Sequence, residues 1–397
     1  MMKRCTPEQV GFSSERLQRV EAMTQRYVDE GKLAGLVTLV ARQGSVVQFD
    51  KYGVQDLETG DLMALDSIFR IYSMTKPITT VALMMLYEQG LFQLRDPVSQ
   101  FIPAFAATKV WAGEGQLVDP AREITIYDLL THTAGLSYGG YEETGSPVDK
   151  LYDEADLESA EIDNEEMVRR IANLPLLYHP GQKWFYSVAT DVLGHLVEVI
   201  SGMGLDAYFE EQILAPLGME DTAFYVPEAK VERFAALYGP GGDGGLELLD
   251  APATGAWSRL PRPLYGGHGL VSTTIDYYRF CQMLLNGGEL DGLRLLGRKT
   301  VELMTMNHLS ESMIPIGWPP DVMHGYGFGL GFRIRVDDAQ AGLLGSVGEY
   351  AWGGYASTSF FIDPKEELIA IMMPQFLPSG YYPILEEFRV LVYQALV

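Results

Sequence analysis

The hydrophobic pattern at each end of the chain predicts helices packed with β-hairpins. Over residues 14–30 apolar positions recur every three or four residues, after serines that suit a helix N-cap and before Gly31, which suits a helix end. A last helix is predicted over residues 383–396. Runs rich in β-branched side chains, separated by short polar turns, predict strands over residues 36–41, 46–51, 358–362 and 368–373. Elements from both ends of the chain are therefore expected to share one α/β layer.

The middle of the chain has helical periodicity instead. Helices are predicted over residues 125–134, 164–173 and 187–201, each ended by glycine or proline. We therefore predict an α+β fold, with an antiparallel sheet flanked by helices and an inserted, mostly helical domain. Residues 1–94 and 261–397 are expected to form the α/β domain, and residues 95–260 the inserted one.

Composition narrows the function classes. The 397 residues carry a formal net charge of −24, which repels nucleic-acid phosphates and anionic lipid headgroups. The sequence thus predicts no nucleic-acid or membrane partner and leaves the oligomeric state open. Two cysteines, Cys5 and Cys281, indicate neither a disulfide framework nor a metal cluster. Without a recognisable secretory segment near its start, the chain is expected to be cytoplasmic.

One short motif places a nucleophile beside an amine. Ser73 precedes the apolar helix predicted over residues 78–89, and Lys76 lies three residues further on, so the two side chains share a face. A desolvated lysine can take the serine proton, and a helix N-terminus stabilises developing negative charge. The structural alternative is that Ser73 only caps the helix and Lys76 is a solvated helix residue.

Further motifs in the same order resemble the serine β-lactamase and penicillin-binding-protein superfamily. After Ser-Met-Thr-Lys-Pro at 73–77 come Leu-Leu-Thr-His-Thr-Ala-Gly-Leu at 129–136 and Tyr-Ser-Val at 186–188. Trp-Gly-Gly at 352–354 lies where β-lactamases and peptidases carry Lys-Thr-Gly. With that tryptophan the chain is most similar to the family VIII carboxylesterases and related acyltransferases.

The resemblance implies roles for individual residues and a site between the two domains. Ser73 would be the acylated nucleophile, Lys76 its proton acceptor and Tyr186 the group that passes the proton to the leaving alcohol. The oxyanion hole would be formed by the backbone N–H groups of Ser73 and Tyr355. The substrate pocket would be lined by Trp352, Gly353, Gly354 and Tyr138. No metal and no cofactor is implied.

Two departures from the β-lactamase pattern bear on the substrate. Val188 stands in place of an asparagine that would bind a β-lactam side chain, and Trp352 cannot pair with a substrate carboxylate. Both favour short-chain, neutral carboxylic esters as the small-molecule substrate. The alternatives are a β-lactamase or D-alanyl-D-alanine peptidase, an acyltransferase, and a non-catalytic binding protein on the same fold.

The remaining motifs, histidines and acidic residues do not indicate a second catalytic site. Residues 135–139 match Gly-x-Ser-x-Gly, but Ser137 follows a predicted helix instead of a strand, which argues against a nucleophile elbow. His132 and His268 have no spaced ligand partners and are interpreted as structural histidines. Residues 142–166 hold eleven acids against Lys150 alone, which predicts a solvated acidic segment that disfavours anionic substrates if it borders the pocket.

Overall fold

A computed structural model describes residues 3–242, 244–317 and 322–397. Its helices are α1 (Ser14–Asp29), α2 (Thr75–Glu88), α3 (Ile126–Leu130), α4 (Tyr141–Thr144), α5 (Pro147–Glu154), α6 (Asn164–Ala172), α7 (Ala189–Ser201), α8 (Leu205–Phe209), α9 (Ala215–Leu217), α10 (Thr274–Leu285), α11 (Arg298–Met304), α12 (Asp338–Ala341) and α13 (Ile384–Tyr393). Its strands are β1 (Gly35–Arg42), β2 (Ser45–Gly53), β3 (Ile68–Arg70), β4 (Val110–Trp111), β5 (Leu117–Val118), β6 (Leu237–Pro240), β7 (Leu246–Asp250), β8 (Val271–Thr273), β9 (Glu289–Leu290), β10 (Leu293–Arg294), β11 (Tyr326–Phe328), β12 (Arg333–Arg335), β13 (Tyr350–Gly353), β14 (Ser359–Asp363) and β15 (Leu368–Pro374).

The main sheet joins the two ends of the chain. Its strand order is β11-β12-β13-β14-β15-β1-β2, and every neighbouring pair is antiparallel. The N-terminal hairpin β1–β2 pairs with the last strand of the C-terminal meander, with Leu36 opposite Pro374 and Arg42 opposite Leu368. The predicted antiparallel sheet and both predicted hairpins are confirmed.

Alternation along the central strands divides the core into two layers. Leu36 and Val40 of β1 join the cluster that packs against α1 and α13, whereas Val37 and Leu39 point to the opposite face, toward α2 and α10. Strand β15 alternates in the same way. Since successive side chains of a strand point to opposite faces, a fully apolar strand requires helices on both sides of the sheet. Helix α2, which follows the candidate nucleophile, is therefore buried along most of its length.

The middle of the chain is mostly helical, with small two-stranded sheets between the helices. The domain boundaries at 94/95 and 260/261 stay a prediction. The helix predicted over residues 125–134 is shorter than expected: α3 ends at Leu130, because His132 adopts a left-handed backbone conformation with φ of 53° that no helix can include. Among the described residues, no helix has both the length and the apolar character needed to cross a membrane.

Candidate active site

Ser73 lies in a tight turn between a buried strand and a buried helix. The turn, Tyr72–Met74, is a short 3-10 segment that connects β3 to α2. Tyr277 of α10 donates a hydrogen bond from its hydroxyl to the Met74 carbonyl oxygen at 2.9 Å. Tyr72 has a φ of 42°, which is uncommon for a residue with a side chain, so packing must hold this turn in place. Ser73 is thereby presented on a rigid support.

Lys76 is buried beneath Ser73 and surrounded by oxygen acceptors. Its Nζ lies 3.2 Å from Ser73 Oγ, 2.9 Å from the Tyr138 hydroxyl and 2.8 Å from the Gly267 carbonyl oxygen. It also lies 4.7 Å from the ring centre of Tyr186. Three oxygens match the three N–H donors of an ammonium group. Hydrogen bonds to three oxygens therefore offset the cost of burying this amine.

Tyr186 meets Ser73 from the other side. Its hydroxyl donates to Ser73 Oγ at 2.8 Å and accepts a hydrogen bond from the indole Nε1 of Trp352 at 3.3 Å. The rings of Tyr186 and Trp352 lie 5.2 Å apart, and His132 packs on Tyr186 at 4.9 Å. Lys76 and Tyr186 are therefore both within hydrogen-bond reach of Ser73 Oγ. Trp352, expected only as a pocket wall, is also a hydrogen-bond donor to Tyr186.

The end of β13 reaches the serine turn because a glycine occupies position 354. A Cβ placed on Gly354 would lie 2.4 Å from the Ile71 carbonyl oxygen, closer than any real contact allows, whereas one on Gly353 would meet its nearest atom at 3.2 Å. Close approach at Gly354 brings Tyr355 beside the turn, where its ring packs edge-on against Tyr72 at 6.2 Å. Tyr355 itself is half exposed.

His132 was interpreted as structural, and its position agrees with that role. The side chain is fully buried, and its ring contacts Tyr186, Trp184 and Phe328. Burial, and secondarily the charge of Lys76, lower the pKa of His132 well below its ordinary value. A neutral imidazole behind Tyr186 supports that ring without adding a second positive charge to the site.

A cavity of about 320 Å³ opens beside Tyr138, whose hydroxyl contacts Lys76 Nζ at 2.9 Å. Its walls come from α5, α6, the start of α7 and the Tyr265–His268 loop, and they include Val188. The cavity also exposes Asp191, which the sequence did not single out, and His268, which the sequence indicates only as a structural histidine; His268 Nδ1 lies 4.0 Å from Asp191 Oδ1. Part of the acidic segment, namely Asp153, Asp156 and Glu158, borders this cavity, so its charge acts where a substrate would bind. The Glu143 side chain lies outside the described residues.

The surroundings of Ser137 do not suit a nucleophile. It lies after α3, and its buried hydroxyl donates to Asp149 while accepting from the Gly139 N–H at 3.0 Å. No basic side chain touches it among the described residues. Within the same part of the chain, no group of three His, Cys, Asp or Glu side chains is positioned to hold a metal ion.

The fold and the motif residues define a serine-hydrolase architecture of the β-lactamase type. Residues 20–394 match the Beta-lactamase family, and the chain belongs to that family. The expected superfamily and fold are confirmed.

Named relatives and a solved structure are similar to this chain over most of its length. Esterase EstB of Burkholderia gladioli is 32% identical over 89% of both chains. Lovastatin esterase of Penicillium rubens is 30% identical, covering 87% of this chain and 90% of its own. Among solved structures, EstCE1, described as a hydrolase with promiscuous acyltransferase activity, superposes with a TM-score of 0.82 at 29% identity, covering 96% of this chain and 99% of its own.

Proposed function

We propose that this chain is a serine carboxylesterase that hydrolyses short-chain esters without an anionic group, by way of an acyl-enzyme on Ser73. The observation that carries the proposal is the convergence of Tyr186 Oη and Lys76 Nζ on Ser73 Oγ, at 2.8 Å and 3.2 Å. The carboxylesterase class is supported by relatives named as esterases that align along almost nine tenths of the chain.

The contacts divide the proton transfers between the two partners of Ser73. With three oxygen acceptors, Lys76 is arranged to stay an ammonium ion, so we assign proton transfer to Tyr186. Tyr186, which donates to Ser73 at rest, first loses its hydroxyl proton to solvent water. The resulting phenolate takes the Ser73 proton while Oγ bonds to the ester carbonyl carbon. The Lys76 ammonium and the Trp352 N–H stabilise this phenolate.

The tetrahedral intermediate collapses when the bond to the leaving alcohol breaks. Tyr186 then returns the proton to the departing oxygen, leaving the acyl group on Ser73. Water repeats the sequence in reverse: Tyr186 removes its proton, the hydroxide oxygen bonds to the acyl carbon, and Ser73 leaves with the proton. Backbone N–H groups of Ser73 and Tyr355 are the proposed oxyanion donors at both stages.

β-Lactams and peptidoglycan peptides present a carboxylate, and the proposed site has few groups that could bind it. Trp352 occupies the position where a cationic or polar partner would be needed, and Val188 supplies no amide. Carboxylates of Asp191 and Glu158 line the adjacent cavity and repel an anion. Esters therefore fit better than these rival substrates. Faster turnover of a chromogenic cephalosporin than of p-nitrophenyl butyrate would favour a β-lactamase or D-alanyl-D-alanine peptidase instead of an esterase.

The test is intact mass spectrometry after rapid mixing with p-nitrophenyl butyrate. Wild type is expected to gain one butyryl group, and Ser73→Ala none, with turnover reduced at least about a thousandfold. Ser137→Ala is the matched control, because it removes a buried hydroxyl from the competing motif. Acylation of Ser73→Ala, or its loss only in Ser137→Ala, would overturn the assignment.

The proposed compartment is the cytoplasm. Cys5 and Cys281 are free thiols, and burial raises the pKa of the Cys281 thiol, which suits a reducing environment. Fractionation of cells that express the tagged full chain tests this directly.

A further inference from the structure

The cavity beside Tyr138 has an unusual lining for an ester pocket. Four carboxylates border it, and among the described residues no lysine or arginine does. The rest of its wall is aromatic or aliphatic, including Tyr152, Tyr265 and Val188. Aromatic faces and carboxylates together are the surroundings that organic cations prefer.

The four carboxylates differ in how far they are already neutralised. Asp156 is mostly exposed and lies 3.7 Å from Arg170, so part of its charge is balanced. Asp153 accepts a hydrogen bond from the Gly140 N–H at 2.7 Å. Asp191 is buried at the cavity floor, where it accepts from the Gly267 N–H at 2.9 Å. Burial lowers the pKa of its neighbour His268, against the opposing charge of Asp191. The Asp191 carboxylate therefore lies in the cavity wall beside this imidazole, with His268 Nδ1 4.0 Å from its Oδ1.

Glu158 acts on the cavity from its mouth. After burial, its negative charge contributes to the raised pKa of Tyr138, Tyr265 and also Tyr72, which lies beside the nucleophile. The same charge opposes the lowering of the His268 pKa by burial. Lys76 is the opposing cation, but it lies at the reactive end, under Tyr138. A positive group on a substrate is therefore favoured at the end of the cavity away from Ser73.

A second observation in the same cavity points to a ligand with N–H donors. Tyr152 is 3% exposed, yet its hydroxyl has no hydrogen-bond partner among the described residues. Burial raises the pKa of Tyr152, and the Ser137 backbone opposes that rise. A buried hydroxyl without a partner is costly, and a donor from a ligand removes that cost.

We infer that this cavity binds the primary or secondary ammonium group of a cationic ester, between Asp191, Glu158 and the hydroxyl of Tyr152. This inference rests on the proposed esterase function and names its substrate class. An ammonium N–H donates to the Tyr152 oxygen, and its charge pairs with the two carboxylates. A neutral polyol gains nothing from the charge, and an anionic group is repelled. The uncharged ester expected from the sequence is therefore a weaker substrate than a cationic ester of equal length.

The experiment compares esters of equal length in a pH-stat assay at neutral pH. One pair places the charge on the acyl side: methyl 6-aminohexanoate against methyl heptanoate. The other places it on the alcohol side: 6-aminohexyl butyrate against heptyl butyrate. In wild type the ammonium member of at least one pair is expected to have a kcat/KM roughly five- to tenfold higher. Glyceryl monobutyrate serves as the neutral polyol.

Variants separate local recognition from the overall negative charge. Glu158→Gln and Tyr152→Phe are each expected to lower the ammonium-to-neutral ratio at least about threefold. Glu161→Gln removes one charge from an exposed site that does not line the cavity, and is expected to leave the ratio unchanged. Because the ratio is taken within each variant, a lower yield of folded protein does not affect it.

The outcomes are distinguishable. Equal kcat/KM within both pairs in wild type, a preference for the polyol, or an equal loss in Glu158→Gln and Glu161→Gln would overturn the cation site and leave the esterase proposal intact. No turnover of any of these esters, with no acylation by p-nitrophenyl butyrate, would overturn the esterase proposal itself.

Discussion

The indole Nε1 of Trp352 donates a hydrogen bond to the hydroxyl oxygen of Tyr186 at 3.3 Å, across 166 positions of sequence. Together with the Ser73 contact it fixes the direction of the Tyr186 hydroxyl. The tryptophan therefore does two things at once: it presents apolar surface toward the site, and it stabilises negative charge on the proposed proton acceptor.

Trp352→Phe separates these two roles. Phenylalanine keeps ring contact with Tyr186 and Phe328 but has no N–H, so kcat for p-nitrophenyl butyrate is expected to fall roughly tenfold or more while KM changes little. Trp111→Phe, which removes an indole from β4, is the control and is expected to retain wild-type kcat. A kcat within twofold of wild type in Trp352→Phe would show that the indole acts only as a wall.

Gly354→Ala tests the close approach of β13 to the serine turn. The added methyl group would clash with Thr358 Oγ1 and with the Ile71 carbonyl oxygen, so the backbone that leads into Tyr355 must shift. We expect kcat/KM to fall at least about a hundredfold, because one proposed oxyanion donor is displaced.

Gly353→Ala is the matched control for this change, since its methyl group meets only the Thr358 carbonyl oxygen at 3.2 Å. It is expected to keep most of the activity. Thermal unfolding of both variants, measured alongside kinetics, shows whether any loss comes from global destabilisation. Equal kinetic losses at the two positions would contradict the proposed arrangement.

Asp276 gives the protein a pH-dependent stability that is unrelated to catalysis. It lies in the first turn of α10, and burial raises its pKa to about 6 from the ordinary value of 3.8, against hydrogen bonds that lower it. A raised pKa means that the folded state binds more protons, so this stabilisation is present at low pH and is lost as the pH rises through 6. Between pH 5 and pH 8 its contribution to the free energy of unfolding falls by about 1.4 kcal/mol.

Asp276→Asn cannot titrate, so urea unfolding at the two pH values should show the variant gaining about that amount relative to wild type by pH 8. Its amide oxygen can still accept from the Asp221 N–H, which Asp276 contacts at 2.8 Å. Asp119→Asn, at a site with an 84% exposed side chain, is expected to follow the wild-type pH dependence. Parallel pH profiles for Asp276→Asn and wild type would refute the raised pKa.

Features that depend on local geometry can be predicted from the order of the residues alone. Spacing of three residues on a helix is enough to place Lys76 under Ser73, and the alternation and turns of the terminal segments are enough to predict the two hairpins. Motif order extended this to the family and to Tyr186. Each of these inferences rests on residues that are close in sequence or on the order of motifs along the chain.

Contacts between distant groups depend on the three-dimensional packing of the chain. The Gly267 carbonyl that holds Lys76, the Trp352 N–H on Tyr186 and the approach of Asp191 to His268 all join segments far apart in sequence. Such contacts follow from how helices and loops pack around the sheet, and no local periodicity encodes them. The acidic segment shows the same division: its charge is plain from composition, but its position beside the site depends on the packing of α5, α6 and α7.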